Sequence, residues 1–305
     1  MPTIRKFEYK QRDKYGHSMY PLKNNYIYMK TILVPTDFTE NAMHAAKYAA
    51  SLARIYDANI IFINIYTMQL MLDYEALSSL NTNMDEMQRI AELNLAEFKE
   101  NFIKNTNFTP ERVSFMAEYG SITSAIIEKS EGNVIDMIVM ATKGAQNIFD
   151  VWLGTNAQKV ASLAQCPVWI IPEKAKLDYP LNILYAADFK EDEKLAAAKL
   201  LKIANPLGAT CKVVHVHEYF QPKLGDLVEE AMAELDKYFK DENITFKEIN
   251  RPDVINGLEK YIEGYNPDVI AIAVHEKSFI AKLFDFGVSS HFLQKSDRPL
   301  LTFRN

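Results

Sequence analysis

Two separated segments in the first half of the chain carry residue types that suit a phosphorylated ligand. Asp37 follows a short apolar run, and its carboxylate can accept a hydrogen bond from a ligand amino or hydroxyl group. Farther along, Lys143 and Gly144 are followed after nine residues by Gly154-Thr155. A glycine and a hydroxyl residue at the start of a helix offer unpaired backbone N–H groups and a positive dipole end to an anion. Gly144 lets the chain approach a ligand closely or take a positive φ.

Each of these residues also has a simpler structural explanation. Thr155 can be an ordinary N-cap, a role that threonine often fills. Gly144 can end a turn, and Asp37 can itself cap the helix that follows it. Asp188 stands at the matching place in the second half, which indicates that part of the role of Asp37 is structural. What favours a ligand site is the placement of all these residues at one edge of a single sheet.

The elements that must position them follow from the alternation of apolar runs and amphipathic segments. In the first half we predict strands at 31–35, 59–65, 113–118, 136–141 and 168–171. Between them we predict helices that begin at 39 or 40 and span 84–104, 122–131 and 155–164. Strands of this kind, apolar on both faces and separated by helices, are typical of parallel sheets.

The same order of elements returns in the second half at a constant offset of 151 residues. Leu33 pairs with Leu184, Asp37 with Asp188, and Ala58 with Ala209 without a gap. The second set of predicted strands is 181–187, 211–217, 245–249, 269–274 and 300–303, with helices ending at 204 and spanning 224–240, 254–264 and 288–295. A repeat of this length is a whole domain rather than a solenoid unit. We therefore predict two consecutive three-layer α/β/α domains at 29–173 and 180–305, after an extension at 1–28.

In such sheets the ligand crevice lies beyond the carboxyl ends of the strands, where the strand order switches. The residues just after strands one, two and four of the first half are therefore the informative ones. They are Pro35, Thr36, Asp37, Ile65, Met140, Ala141, Lys143 and Gly144.

With these motifs in place, the sequence resembles the universal stress proteins. The nucleotide-binding branch of that family carries Gly-x2-Gly-x9-Gly-(Ser/Thr), and this chain has Ala141-x2-Gly144-x9-Gly154-Thr155. The resemblance covers both halves and implies a Rossmann-like fold similar to the adenine nucleotide alpha hydrolases. It further implies that the two halves form a pseudo-dimer whose last strands meet.

The resemblance also implies a site for ATP or another adenine nucleotide, with or without Mg²⁺. Pro35, Asp37 and Ile65 would face the adenine, and Met140 and Ala141 would lie near the ribose. The residues implied near the phosphates are Gly144, Gly154, Thr155 and Asn156.

Ala141 departs from the family pattern, because it replaces the first glycine. If this position needs a positive φ, alanine costs on the order of 1 kcal/mol or more, which weakens binding roughly tenfold. If its φ is negative, alanine costs little. Lys143 in the same loop can offset part of the loss by reaching the phosphates.

The second half has lost most of the signature. Pro35 becomes Ala186, the glycine loop becomes a segment containing Glu276, and Gly287 comes one place late. A carboxylate in a phosphate loop repels its ligand, so we predict that the second site does not bind nucleotide. The second half then serves as a packing partner for the first.

Composition limits the other classes. The chain has 305 residues, a net charge of −6 and two cysteines without a CxxC motif, which indicates a cytoplasmic protein without a disulfide framework or zinc site. It has no apolar run of membrane-spanning length. The extension at 1–28 has six basic residues against two acidic ones, but the acidic whole gives no reason to expect nucleic acid or membrane as partner.

Three functions of different classes remain open. The first is a nucleotide-binding regulatory module, acting as a dimer of tandem chains with protein partners that the sequence does not identify. The second is a structural regulator that has lost nucleotide in both halves. The third is a slow ATPase, although no general base, paired carboxylate or metal cluster supports catalysis. The pair His215-x-His217 allows a metal site, but no carboxylate or cysteine stands at a suitable spacing. The segment around Met68, Met71, Met84 and Met87 fits core or interface packing better than a binding surface.

Overall fold

The computed structural model describes residues 29–67, 80–132, 134–142, 154–189, 192–218, 222–251, 254–274 and 297–304. The first half contains β1 (Thr31–Pro35), α1 (Glu40–Tyr56), β2 (Asn59–Tyr66), α2 (Leu80–Thr106), β3 (Val113–Tyr119), α3 (Ile122–Glu131), β4 (Met137–Ala141), α4 (Thr155–Leu163) and β5 (Val168–Ile171). The second half contains β6 (Asn182–Ala187), α5 (Glu193–Leu207), β7 (Thr210–Glu218), α6 (Pro222–Tyr238), β8 (Ile244–Arg251), α7 (Val254–Tyr265), β9 (Val269–Val274) and β10 (Leu300–Arg304). The predicted alternation of strands and helices is confirmed. The extension at 1–28 and the helix predicted at 288–295 lie outside the described residues.

The helix ends follow from local chemistry. Thr39 caps α1 by accepting a hydrogen bond from the Ala42 N–H, and Asp57 ends the helix in the left-handed conformation at φ 55°. The second half uses Gly208 at φ 67° for the same purpose. Helix α5 runs through Pro206 and ends at Leu207, three residues beyond the predicted end. A proline in the last turn removes only its own N–H, and Gly208 then caps the exposed carbonyls.

The ten strands found in the described residues form one sheet in the order β3-β2-β1-β4-β5-β10-β9-β6-β7-β8. Within each half every strand pair is parallel, as predicted. The halves meet through the antiparallel pair β5–β10, in which Leu301 lies opposite Trp169. The prediction that the two last strands meet is therefore confirmed. The Thr302 hydroxyl also donates to the Ala161 carbonyl across this junction at 3.1 Å.

Apolar layers on both faces of the sheet run across the junction. On one face, the ring of Tyr48 lies 5.9 Å from that of Trp169, and Tyr185 lies 5.7 Å from Phe303. The Tyr56 hydroxyl on this side donates to the Ile203 carbonyl at 2.6 Å and links α1 to α5. Because both layers contain residues of both halves, the two repeats share a continuous core.

A matched pair of aspartates holds the first strand of each half. The Asp136 carboxylate accepts from the N–H groups of Lys30 and Thr31 at 2.8 and 3.0 Å. Asp268 does the same for Leu181 and Asn182 at 3.0 and 2.9 Å. The repeat therefore extends to hydrogen bonds between elements.

Cys166 and Cys211 are both free and buried. Burial raises the pKa of each thiol to about 12, so neither is a reactive thiolate at neutral pH. Among the described residues, no helix has the length and apolar composition needed to cross a membrane.

Candidate functional site

The strand order places the candidate site at the carboxyl edge of the first half. The chain moves outward from β1 to β2 on one side, and β4 takes the place on the other side of β1. This is the switch point at which ligands bind in open α/β sheets. Pro35 at the end of β1 and Ala141 at the end of β4 thus flank the same crevice.

The turn after β1 is held by three hydrogen bonds. The Thr36 N–H donates to the Ile63 carbonyl at 2.9 Å, and the Asn64 amide donates to the Thr36 carbonyl at 2.8 Å. The Thr36 hydroxyl accepts from the N–H of Phe38 at 3.0 Å. These bonds fix Phe38 at φ 67°, which is unusual for a residue other than glycine. The turn is consequently preorganised.

Asp37 is exposed at this turn and does not cap α1. Its Oδ1 accepts from the Thr39 hydroxyl at 2.6 Å and from the Thr39 N–H at 3.2 Å. Thr39 is the N-cap, so the interpretation of Asp37 as the cap is wrong. The carboxylate instead orients the capping residue, while its position leaves it accessible at the crevice.

Backbone hydrogen bonds hold Thr142 and Gly154, the two described ends of the second predicted segment. The Gly154 N–H donates to the Thr142 carbonyl at 2.7 Å, and the Thr142 N–H donates to the Ile171 carbonyl at 3.2 Å. The two ends of the loop that contains Lys143 and Gly144 are thereby joined beside β4. Lys143 and Gly144 themselves lie outside the described residues.

Helix α4 begins without a side-chain cap. Gly154 is its N-cap residue and makes no side-chain hydrogen bond, and Thr155 is the first helical residue. The interpretation of Thr155 as an N-cap is therefore wrong. Thr155 and Asn156 are exposed, and the N–H groups of the first turn have no partner within the helix. The start of α4 consequently presents donors and a positive dipole end at the crevice.

The backbone of Ala141 is compatible with a side chain. Ala141 is the last residue of β4 and pairs with Ile171 of β5 in the parallel register. Its φ is not positive. The backbone cost considered for replacing the family's glycine therefore does not arise, and only the added methyl group remains to be accommodated.

The other predicted residues occupy the walls of the crevice. Met140 is 6% exposed, and its side chain belongs to the apolar layer on the α4 side of the sheet. Ile65 packs partly against the same layer. Pro35 is half-buried at the end of β1. Met140 thus supports the crevice from below.

A second helix start at this edge was missed by the sequence reasoning. Gly120, at φ 139°, donates its N–H to the Tyr66 carbonyl at 3.1 Å and leads into α3, whose N-cap Ser121 makes no side-chain cap bond. The Thr123 hydroxyl then donates to the Asn156 Oδ1 at 3.1 Å, joining α3 to α4. The signal was available, because Gly120-Ser121 repeats the glycine-hydroxyl pattern of Gly154-Thr155.

The corresponding edge of the second half is built differently. Its turn carries a buried carboxylate, Glu193, which accepts from the Tyr185 hydroxyl at 2.7 Å and from the Phe189 N–H at 3.0 Å. His215 is buried, bonds the Ala187 carbonyl through Nδ1 at 2.9 Å, and packs edge-on against Phe189. The residues Glu276 and Gly287 and the side chain of His217 lie outside the described residues.

The architecture defines a tandem α/β protein with a crevice at the switch point of its first half. The family model described as the universal stress protein family matches residues 29–172 and 181–304. Since these matches cover most of the sequence, the chain belongs to the universal stress protein family. The resemblance seen in the sequence is confirmed.

Individual relatives agree with this assignment. The chain is 27% identical over 158 residues to the universal stress protein MJ0531 of Methanocaldococcus jannaschii, a match that covers 51% of this chain and 89% of that protein. It is 28% identical over 142 residues to a universal stress protein of Thermus aquaticus, covering 47% of this chain and 98% of that one. The crystal structure of a universal stress protein from Archaeoglobus fulgidus has the same fold, with a TM-score of 0.66, 20% identity and coverage of 90% and 98% of the two chains.

Proposed function

We propose that the first half of this chain binds ATP or another adenine nucleotide, and that its occupancy regulates interactions of the whole protein. The observation that carries the proposal is the start of α4. Its N–H groups have no side-chain cap, and they open on the same crevice as the exposed Asp37. A helix start of this kind is a ready anion site.

The phosphates would lie against the backbone of Gly154, Thr155 and Asn156. Lys143 and Gly144 stand in the sequence between Thr142 and Gly154, whose backbones are hydrogen-bonded, so a cation and a glycine are available for the phosphates. A Mg²⁺ ion would accompany the phosphates. The hydrogen bond from Thr123 to Asn156 brings the start of α3 next to the start of α4 and supports this arrangement.

The adenine would lie between the end of β1 and the end of β2. Pro35 and Ile65 provide half-buried apolar surface, and Asp37 provides an acceptor for the exocyclic amino group. The ribose would lie near Met140 and Ala141. The extended backbone of Ala141 supports this placement because its side chain requires no strained conformation.

The second half would stay empty. In the second half the turn is held by the Glu193 carboxylate in place of the Thr36 hydroxyl, and the glycine loop is replaced by a segment containing Glu276. A carboxylate in a phosphate loop repels a phosphorylated ligand. We further propose that the chain divides into domains at 29–173 and 180–305, that the protein is cytoplasmic, and that it forms a dimer of tandem chains. Any ATPase activity would be slow.

The first experiment is mass spectrometry of the small molecules released when freshly purified protein is denatured. We expect close to one adenine nucleotide per chain. No nucleotide, in this experiment and in calorimetric titration with ATP and Mg²⁺, would contradict the proposal and leave a structural regulator.

A charge substitution at the start of α4 tests the location. Thr155→Asp places a carboxylate where the phosphates would lie, and Thr155→Asn is a neutral control of similar size. We expect the aspartate to weaken ATP binding by about tenfold or more, corresponding to about 1.4 kcal/mol. Its thermal stability should not fall, because an acidic residue in the first turn complements the helix dipole. Equal affinities for the two variants would place the phosphates elsewhere.

A further inference from the structure

The outer edge of the second half carries a charged groove that the nucleotide site does not use. Strand β8 is the last strand of the sheet order, and no other described strand pairs with its outer side. Successive side chains of a strand point to opposite faces. On one face, Phe246 packs against Phe239, the residue that directly follows α6. On the other, Lys247, Ile249 and Arg251 face α7.

Contacts with α7 establish this orientation. Ile249 belongs to the apolar layer that contains α7, and the Lys247 ammonium lies 5.3 Å from the ring centre of Tyr261. The Arg251 stem lies so close to Gly257 that an added Cβ would be 2.9 Å from its Cγ. Between strand and helix there is a groove of about 310 Å³. Its lining residues are Ile249, Arg251, Lys260, Tyr261, Gly264 and Tyr265.

Four cationic side chains border the groove. None of its surrounding cations forms a salt bridge with another residue in the described part of the chain. These cations are Lys212, Lys247, Arg251 and Lys260. Burial raises the pKa of Tyr261 and Tyr265, so both remain neutral phenols and contribute no negative charge. The protein as a whole carries −6, so these four cations are grouped together on an acidic molecule.

The first half shows that the fold itself does not require such a groove. Strand register makes Glu118 the equivalent of Ile249, since Glu118 pairs with Ile65 and Ile249 with Val216, which is offset from Ile65 by 151. Lys129 is the equivalent of Tyr261, because Lys129 lies seven residues before Asp136 and Tyr261 lies seven residues before Asp268.

Glu118 and Lys129 form a salt bridge, which makes the first-half position internally neutral. Met116 stands where the second half has Lys247. Lysines on an edge strand are a common protection against aggregation. That protection alone does not explain why the apolar Ile249 lies between two cations. The equivalent edge strand, β3, does not have this protection.

We propose that the edge of β8 binds an extended acidic segment of a partner protein as an added strand. Main-chain hydrogen bonds to a sheet edge supply affinity in this mode, and alternate side chains supply specificity. Lys247 and Arg251 are four residues apart, about 13 Å along the strand, with Ile249 midway. An added strand repeats this spacing, so the segment has the pattern acidic-x-apolar-x-acidic. Its apolar side chain lies over Ile249, and its carboxylates pair with the flanking cations.

The aromatic pair favours a peptide over single-stranded nucleic acid. Tyr261 and Tyr265 stack on each other at 5.9 Å with an interplanar angle of 21°. Lys247 lies over Tyr261, and Lys212 lies 5.2 Å from the Tyr265 ring centre. Bases bind single-strand sites by stacking on aromatic faces. Here each ring has the other ring and a lysine against it.

Fluorescence anisotropy with two labelled, end-capped peptides tests the pattern on the full chain. The first has glutamates two positions before and after a central valine, with threonine elsewhere. The second has the same composition but places the glutamates next to the valine, on the opposite face of the strand. We expect the first peptide to bind about tenfold more tightly, as expected for one lost charge interaction of about 1.4 kcal/mol. Equal affinities would overturn the proposal.

Variants locate the binding. The double substitution K247E/R251E should weaken binding of the first peptide by at least about tenfold. K104E/K176E makes the same change in net charge at exposed positions outside the groove and should leave affinity unchanged. Hydrogen exchange should slow in β8 and not in β3 when peptide is added.

Once K247E/R251E is shown to fold, either of two results would overturn the proposal. One is binding of an oligothymidylate that exceeds peptide binding and is lost in that variant, which would identify a nucleic-acid surface. The other is the absence of peptide binding together with unchanged exchange in β8.

Discussion

The turns that follow the first strand in each half have the same backbone and different side-chain chemistry. Phe38 and Phe189, related by the offset of 151, both have positive φ, at 67° and 52°. The carbonyl before each turn accepts a side-chain hydrogen bond from the second strand, from Asn64 in one half and from His215 in the other. An amide and an imidazole thus perform one structural task.

The difference lies in what accepts the N–H of the left-handed residue. In the first half it is the Thr36 hydroxyl, and in the second half it is the Glu193 carboxylate. Glu193 and its partner Tyr185 stand where the first half has Ala42 and Val34. The fold requires an acceptor at this point but not a particular one. The two turns therefore keep one backbone with different side chains, and under the function proposed above only the first half would bind nucleotide.

The largest expected effect concerns this buried carboxylate. Glu193→Ala leaves the Tyr185 hydroxyl and the Phe189 N–H without their acceptor inside the protein, which should lower the free energy of unfolding by about 3 kcal/mol. Urea denaturation measures this value. Tyr185→Phe removes one of the two bonds and should cost about 1 kcal/mol. If Glu193→Ala lowered the free energy of unfolding by less than about 1 kcal/mol, the carboxylate would be dispensable to the turn.

The paired aspartates should behave alike where the turns differ. Asp136→Ala and Asp268→Ala each remove an acceptor from two backbone N–H groups at the start of a first strand. We expect each to reduce the free energy of unfolding by about 1.5 kcal/mol, because each lost hydrogen bond is worth about 1 kcal/mol and the groups are partly solvated. Chemical denaturation of both variants would show it. Values that differ by more than about 0.5 kcal/mol would indicate that the halves are not equivalent even in their scaffold.

Nucleotide affinity should separate the halves. Asp37→Asn preserves the size of the side chain and an oxygen for Thr39, but removes the charge that would face the adenine amino group in the proposed complex. We expect about tenfold weaker ATP binding, or about 1.4 kcal/mol, in isothermal titration. Asp188→Asn is the matched control in the second half and should leave affinity unchanged. A loss caused by the control instead would move the site to the second half.

The repeat and the burial of its strands made the fold predictable. Apolar runs such as β1, β4 and β9 are buried on both faces, and strand position alone then placed Asp37 and Gly154 at one edge. Helix caps were less predictable, because Thr39 and Asp37 are both good capping residues and only geometry distinguishes them. The conformation of Ala141 depended on β4 extending to that residue.

The contribution of α3 to the edge could not be ranked from sequence. Gly120-Ser121 carries the same signal as Gly154-Thr155, but the hydrogen bond from Thr123 to Asn156 joins residues 33 apart. The buried pair of Tyr185 and Glu193 was also hidden, since an acidic residue in the first turn of a helix is ordinarily an exposed one that complements the dipole. Long-range contacts and burial decide such cases.

The smallest expected effect concerns the segment that connects the halves. His44 Nε2–H donates to the Ala175 carbonyl at 2.9 Å, and the equivalent residue of the second half, Leu195, is exposed. Burial lowers the pKa of His44, with the hydrogen bond to Ala175 opposing this in part. The neutral imidazole is therefore the form that the folded state favours. Its contribution to stability is full above the unfolded-state pKa of about 6.5 and is lost as the pH falls through the lowered folded-state value.

His44→Gln keeps a donor for the Ala175 carbonyl and removes the titration. We expect the free energy of unfolding of the wild-type protein to fall more steeply than that of the variant as the pH is lowered from neutral to about 5, a range above the ordinary carboxylate pKa values. Urea denaturation at a series of pH values measures both slopes. Parallel slopes would mean that protonation of His44 does not change how the connecting segment is held on α1, where Ser51 also donates to the Leu177 carbonyl.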